Sequence, residues 1–199
     1  MKIIIATHNA HKVIEFKRIL EPLGVEVVSQ KDAGINVEVI ENGKTFAENA
    51  KIKAEAVCKA SNCVAIADDS GICIDAFNGA PGIYSARFLG EDTPYTEKNA
   101  IILDRLSDVS KEKRGARYVC AICCIFPNGD IISTEGVCEG TMGYAIKGSN
   151  GFGYDPIFMV GDKSMAEISD DEKDKISHRG IALRKFTAEL KKYLQDNKQ

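Results

Sequence analysis

Lys2-Ile3-Ile4-Ile5-Ala6-Thr7-His8-Asn9-Ala10-His11-Lys12 opens on a run of isoleucines and ends in a polar connection. β-branched side chains are stiff at χ1 and pack well on a pleated surface, so residues 2–6 read as a short buried strand. Val13, Phe16, Leu20 and Leu23 then recur at three- and four-residue spacing, one face of a helix, with Pro22 and Gly24 near its stop. Residues 25–29 read as a second strand. Strand, connection, helix, strand is the opening of an α/β fold.

The rest of the chain extends that pattern. Thr45-Phe46-Ala47-Glu48 has the form of a capping box, and it predicts a helix over about 46–61. Residues 63–67 predict another apolar strand, ending at Asp68-Asp69-Ser70-Gly71, with extended structure resuming over 72–75. Gly79-Ala80-Pro81-Gly82 reads as a loop. Thr93-Pro94 reads as an N-cap and first helical residue ahead of Ala100, Leu103 and Leu106. Strands over 116–126 and 130–138 flank Pro127-Asn128-Gly129, whose Asn-Gly is a hairpin signal. A further strand is predicted over about 139–146, and residues 157–160 are apolar again. Ser177 is placed to cap a last helix carrying Ala182, Phe186, Glu189, Leu190 and Tyr193, and the tail 195–199 is expected to fray. The expectation is an α/β fold: a central mixed β-sheet flanked by helices. Residues 1–199 are expected to form a single domain of two lobes, with no linker-like segment inside it.

Composition narrows the function classes. A net charge of −3 disfavours wholesale electrostatic binding to nucleic acid, although a few placed lysines can hold a small anion. No apolar run approaches the ~20 residues needed to cross a bilayer, and the start turns polar too soon for a signal peptide. A cytoplasmic protein without membrane or nucleic-acid partners is expected. Seven cysteines, an odd number partly set in apolar runs, indicate reduced core thiols rather than a disulfide framework. Cys120 and Cys123 match a C-x-x-C spacing, but on a strand they point to opposite faces and cannot share a metal.

Several stretches carry side chains suited to chemistry. Asp68 and Asp69 follow a buried strand, where carboxylates can hold a hard cation through oxygen; Asp-Asp-Ser-Gly is equally ordinary turn chemistry. On extended backbone the two carboxylates point opposite ways, so one can serve a metal while the other ties down the loop. Thr7, His8, Asn9, Ala10, His11 and Lys12 lie at a helix start, whose amides and dipole suit a phosphate and where Lys12 adds a full charge. An Asn-capped, solvated connection accounts for the same residues. This is not a Walker A loop, because its glycines are absent. Glu41 has no evident local duty and is a candidate metal ligand, with Glu38 as its rival; Lys53 is either a ligand contact or surface charge. Phe152, Gly153, Tyr154 and Asp155 lie among glycines that permit close approach of a base, or else tuck their rings into the core. Arg179, beside His178, stands at a helix start where the dipole disfavours a cation, and such a local conflict hints at a ligand. Lys173 precedes it in an acidic run read mostly as a solvated face.

Together these stretches resemble the inosine triphosphate pyrophosphatase family, also called the non-canonical purine NTP pyrophosphatases. The matching motifs run in order: residues 6–12, 45–50, 67–71, 79–87, 151–156 and 176–180. The resemblance implies an elongated α/β fold with a substrate cleft between two lobes, and a homodimer. It also implies Mg²⁺-dependent hydrolysis of ITP, dITP and XTP to the nucleoside monophosphate and pyrophosphate. By the same resemblance, residues 7–12 and Lys53 contact the triphosphate. Asp69 is catalytic, as proton acceptor, and ligates the metal together with Glu41. Ser70 lies beside it in the substrate site. Phe152, Gly153, Tyr154, Asp155, Lys173, His178 and Arg179 match nucleoside-contacting positions. One departure is His8, which stands where the family usually has glycine. A pyrophosphatase for pyrimidine or modified nucleotides is the nearest rival; a nucleotide-binding regulator without turnover would need no Asp69, and the presence of Asp69 together with Lys12 and Lys53 counts against it.

Overall fold

Lys2–Ile5 forms β1, and its alternating side chains serve two separate cores. The computed structural model describes residues 1–197. After β1 come α1 (Ala10–Leu20), β2 (Glu26–Ser29) and α2 (Phe46–Ser61). Then follow β3 (Ala65–Ile74), α3 (Tyr95–Arg105), β4 (Gly115–Ile125) and β5 (Ile131–Met142). The last elements are β6 (Phe158–Val160), β7 (Lys163–Ser164), α4 (Asp170–Ile176) and α5 (His178–Asp196). The strands form one seven-stranded sheet in the order β2-β1-β3-β4-β5-β6-β7. β1 is parallel to both β2 and β3, whereas β6 is antiparallel to both β5 and β7, so the sheet is mixed as expected.

By its internal contacts the chain forms two units; the first spans Met1–Asp69, Cys120–Gly136 and His178–Gln199. In it the period of two along each strand separates two apolar layers. Ile3, Ile5, Ile66, Cys120, Ile122 and Cys124 pack with Phe16 and Leu20 of α1 and with Ala182, Leu183, Phe186 and Leu190 of α5. Ile4, Ala65, Ala67, Cys123 and Ile125 pack instead with Ala50, Ala54, Val57 and Cys58 of α2. Each large apolar side chain buried this way contributes roughly 1.5–3 kcal/mol. Cys120 and Cys123 belong to different layers, as expected for a strand, and all seven cysteines are free thiols. Gly136 is required where β5 meets the start of α5: a Cβ there would lie 2.1 Å from the His178 carbonyl oxygen.

The second unit spans Ser70–Val119 and Val137–Ser177. Its core joins Ile72 and Ile74 of β3, Ile102 of α3, Ala116 and Tyr118 of β4, Cys138 and Met142 of β5, and Tyr154, Ile157, Phe158 and Met165.

Four expectations need correction. β3 runs unbroken through Asp68-Asp69-Ser70-Gly71 instead of turning there, because partners described below neutralise both carboxylates within the strand. Gly71 fits that strand because a Cβ would strike the Gly82 carbonyl and the Ser85 hydroxyl, at 2.3 and 2.4 Å. β5 continues through Cys138 to Met142, replacing the two strands predicted over 130–146. Pro94, not Thr93, is the N-cap of α3, and the Thr93 hydroxyl donates back to the Leu89 carbonyl instead. The sequence does not announce α4, a short helix whose first turn is Asp170-Asp171-Glu172 and which Ser169 caps; Ser177 ends it and directly precedes His178, the first residue of α5, the position expected for the cap of that last helix. Gln195 and Asp196 belong to α5, while the rest of the tail called frayed includes Lys198 and Gln199, which lie outside the described residues. By contrast, α2 has the predicted bounds and its Thr45 cap, and the 127–129 turn closes with the Gly129 amide on the Phe126 carbonyl at 2.9 Å.

Candidate active site

The 7–12 connection is ordered from within. Asn9 caps α1, its side-chain oxygen accepting from the amides of His11 and Lys12 at 3.0 and 3.3 Å. The Thr7 hydroxyl accepts from the Asn9 amide at 3.2 Å. His8 is not among the residues with positive φ, so a side chain fits where the resembled family usually carries glycine. Its Nε2 lies 2.8 Å from the Gln30 amide nitrogen. Lys12 stands in the first turn with its ammonium 3.0 Å from Asp68 Oδ2.

Asp69 sits at the centre of a second group. Its Oδ1 accepts from the Lys53 ammonium at 3.1 Å, and its Oδ2 accepts from the Asn49 amide at 3.1 Å. The same ammonium donates to Glu41 Oε2 at 2.9 Å, so the two carboxylates predicted as metal ligands converge on one point. Asn49 and Lys53 share a face of α2 because they are four residues apart. Sequence reading missed Asn49, which lies inside the 45–50 motif; a polar residue on the helix face otherwise lined by Ala50, Ala54 and Val57 was its only local signal. Burial raises the Asp69 pKa above the ordinary aspartate range; Lys53 opposes this and Glu41 adds to it. Burial alone would lower the Lys53 pKa, but Asp69, Asp68 and Glu41 outweigh it and the pKa rises. Asp69 therefore holds a proton more readily than a free aspartate, and Lys53 stays charged.

Asp68, the other carboxylate of the pair, faces different partners. Arg179, only 1% exposed, donates to Asp68 from Nε at 3.2 Å and from Nη2 at 2.8 Å. Its Nη1 donates to Glu15, a residue of α1 to which sequence reading gave no role. The carboxylates of Asp68 and Glu15 keep the guanidinium charged against its burial. The cation that looked misplaced at a helix start is thus matched by two internal anions. His178 is buried beside it in the chain.

In the second unit the 151–156 loop closes on Asp155. This buried carboxylate accepts from Lys173 Nζ at 2.7 Å, the Phe152 amide at 2.9 Å and the Tyr118 hydroxyl at 3.3 Å. Lys173, read partly as solvated, is 4% exposed and lies 4.7 Å from the centre of the half-buried Phe152 ring. Gly151 admits this pair, since a Cβ would fall 2.1 Å from Asp155 Oδ2. Tyr154 is buried, with its hydroxyl donating to the Ser85 carbonyl at 2.6 Å, and burial raises its pKa well above the usual tyrosine value. Ser70 is half-buried on β3.

Lys53 and Asp69 with Glu41, and Lys12 with Asp68, are thus brought together in the first unit, and the 152–155 loop with Lys173 in the second. Among the described residues no group of three or more His, Cys, Asp or Glu side chains forms a metal cage. No described helix is long and apolar enough to cross a membrane.

The fold and these groups define an α/β protein whose paired carboxylates and lysines suit an anionic ligand and a hard cation. The chain belongs to the Ham1 family, whose model matches residues 3–189. It is 50% identical over 186 residues to the dITP/XTP pyrophosphatase of Bacillus subtilis, covering 92% of this chain and 94% of that one. It is 47% identical over 192 residues to the dITP/XTP pyrophosphatase of an Exiguobacterium species, covering 96% and 97%. The structure of the Staphylococcus aureus Ham1 protein superposes with a TM-score of 0.86 at 38% identity, covering 97% of this chain and all of that one.

Proposed function

We propose that this chain is a nucleoside-triphosphate pyrophosphatase that hydrolyses ITP, dITP and XTP to the monophosphate and pyrophosphate. The observation that carries this reading is the convergence of Glu41 and Asp69 on the ammonium of Lys53. The Ham1 family membership and the dITP/XTP pyrophosphatases among its relatives support it.

Two carboxylates, with phosphate oxygens completing the shell, form a donor set suited to Mg²⁺, and Glu41 and Asp69 would hold it. Bound there, the ion would supply positive charge to the triphosphate. Lys12 and Lys53 place fixed positive charge against the remaining phosphate oxygens, stabilising the charge that develops as pyrophosphate leaves. Asp69 accepts the proton of the water that attacks the α-phosphorus. Its raised pKa brings it closer to the working pH of a general base. Residues 7–12 line the phosphates. Ser70, the 152–155 loop, Lys173, His178 and Arg179 are assigned to the nucleoside, with the Phe152 ring as its stacking face.

The homodimer, the cleft and the cytoplasmic location rest on the family resemblance and on composition. Incubating the pure protein with a nucleotide panel and Mg²⁺, and detecting pyrophosphate, tests the activity. Release from ITP and XTP, abolished by chelation, is expected; release from dUTP or methylated nucleotides alone would overturn the substrate assignment. Light scattering is expected to give twice the mass of the 21.7 kDa chain.

A further inference from the structure

The helix α3 carries none of the motifs of the resemblance, yet its first two turns hold two of them in place. Tyr95 presents its ring edge-on to Tyr154, with centroids 5.1 Å apart. Lys98, 1% exposed, donates to the Ala86 carbonyl at 2.8 Å, within the 79–87 motif. Asn99, 2% exposed, donates from Nδ2 to the Gly153 carbonyl at 3.1 Å, within the 151–156 motif. Gly153 takes a positive φ of 70°, which a side chain there would strain.

That bond determines how the Asn99 amide is turned, since the opposite orientation would set Oδ1 against the Gly153 carbonyl. Oδ1 is consequently buried without a hydrogen-bond partner among the described residues. A buried acceptor left unpaired destabilises a fold, and leucine has the same heavy-atom branching and is a better helix former. On stability alone, asparagine is a poor choice for this helix position. What it contributes is the donor that holds the Gly153 carbonyl.

We propose that Asn99 is a positioning residue that sets the backbone of the 152–155 loop for the purine. This rests on the assignment of that loop to the nucleoside. Through Gly153 it also orients Phe152, whose own amide is tied to Asp155 on the other side. Loss of the Asn99 donor should therefore weaken recognition of the base and leave the grip on phosphates unchanged.

Asn99→Asp tests this, because it keeps the shape and removes the donor. The readouts are KM and kcat for ITP and the inhibition constant of inorganic pyrophosphate, which carries no base. A rise in KM for ITP of about tenfold, the scale of one lost hydrogen bond, is expected with pyrophosphate inhibition unchanged. An unaltered KM in a folded variant, or equal weakening of ITP and pyrophosphate, would overturn the proposal. Asn99→Ala serves the same purpose if the aspartate fails to fold; if neither folds, Asn99 is a stability residue and the proposal is wrong. Wild-type protein that releases no pyrophosphate from ITP would instead overturn the substrate assignment on which the proposal stands.

Discussion

The ammonium of Lys53 lies 3.1 Å from Oδ1 of Asp69, so the proposed base is held by a cation on the neighbouring helix α2. Asp69→Asn keeps the shape and removes both the charge and the proton acceptor. Pyrophosphate release from ITP should fall by at least ~100-fold, the scale of a lost general base. A folded variant with near-normal turnover would exclude Asp69 from the mechanism.

The raised pKa of Asp69 has two consequences of opposite sign. Protonated Asp69 cannot accept a proton, so kcat/KM should decline as pH falls through its folded pKa, above the ~3.9 of an unperturbed aspartate. Stability runs the other way: the folded state holds this proton more tightly than the unfolded chain. The favourable contribution is complete below the unperturbed pKa and is lost as pH rises through the folded one. Asp69→Asn should therefore melt no earlier than wild type at neutral pH, as thermal unfolding followed by circular dichroism would show. A clear drop in Tm would contradict that sign.

Lys53 donates to Glu41 and Asp69 alike, the two carboxylates proposed to hold Mg²⁺. An ammonium and a divalent cation compete for the same oxygens. Lys53→Met should tighten Mn²⁺ binding to the nucleotide-free protein while lowering turnover, since the phosphate contact is lost with the competitor. Calorimetric titration of both proteins checks this, and equal or weaker Mn²⁺ binding by the variant would refute it.

Lys12 stands on the first turn of α1, and its ammonium meets Asp68. As a phosphate contact it should act on every triphosphate alike. Lys12→Ala is expected to lower kcat/KM for ITP and GTP by similar factors. A change confined to base preference would show that Lys12 is not on the phosphates.

Arg179 is matched by Asp68 and Glu15 within the core. Arg179→Ala removes the buried guanidinium that Asp68 and Glu15 share, leaving Asp68 only its Lys12 ion pair among those described, and a stability loss of about 3–5 kcal/mol is expected, read as a lower denaturation midpoint. If the guanidinium also donates to the purine 6-oxygen, the ratio of kcat/KM for ITP over ATP narrows in the variant, because adenine offers an amino group there. That narrowing is the expected result; an unchanged ratio would confine Arg179 to its internal ion pairs.

Local signals were read correctly where one residue and its near neighbours settle the outcome. The isoleucines of β1, the Asn9 and Thr45 caps and the Asn128-Gly129 turn act over a few residues, and each is where the sequence puts it. The strand over Asp68-Asp69-Ser70-Gly71 failed for the opposite reason. Taken alone the four residues favour a turn, since unpaired carboxylates seek water. They stay in β3 because Lys12 and Arg179 neutralise Asp68 while Lys53 neutralises Asp69.

The sequence by itself determined the α/β class, the family, and the residue types and order of the proposed site. Only the tertiary structure decided which charge meets which. Arg179 reaches Asp68 across 111 positions of the chain and Glu15 across 164. Asn49 reaches Asp69 across 20, and Lys173 reaches Asp155 across 18. Periodicity assigns a side chain to a face, but its partner depends on which elements pack there. Ion pairs are strengthened by burial, and burial exists only once α1, α2 and α5 have covered the sheet.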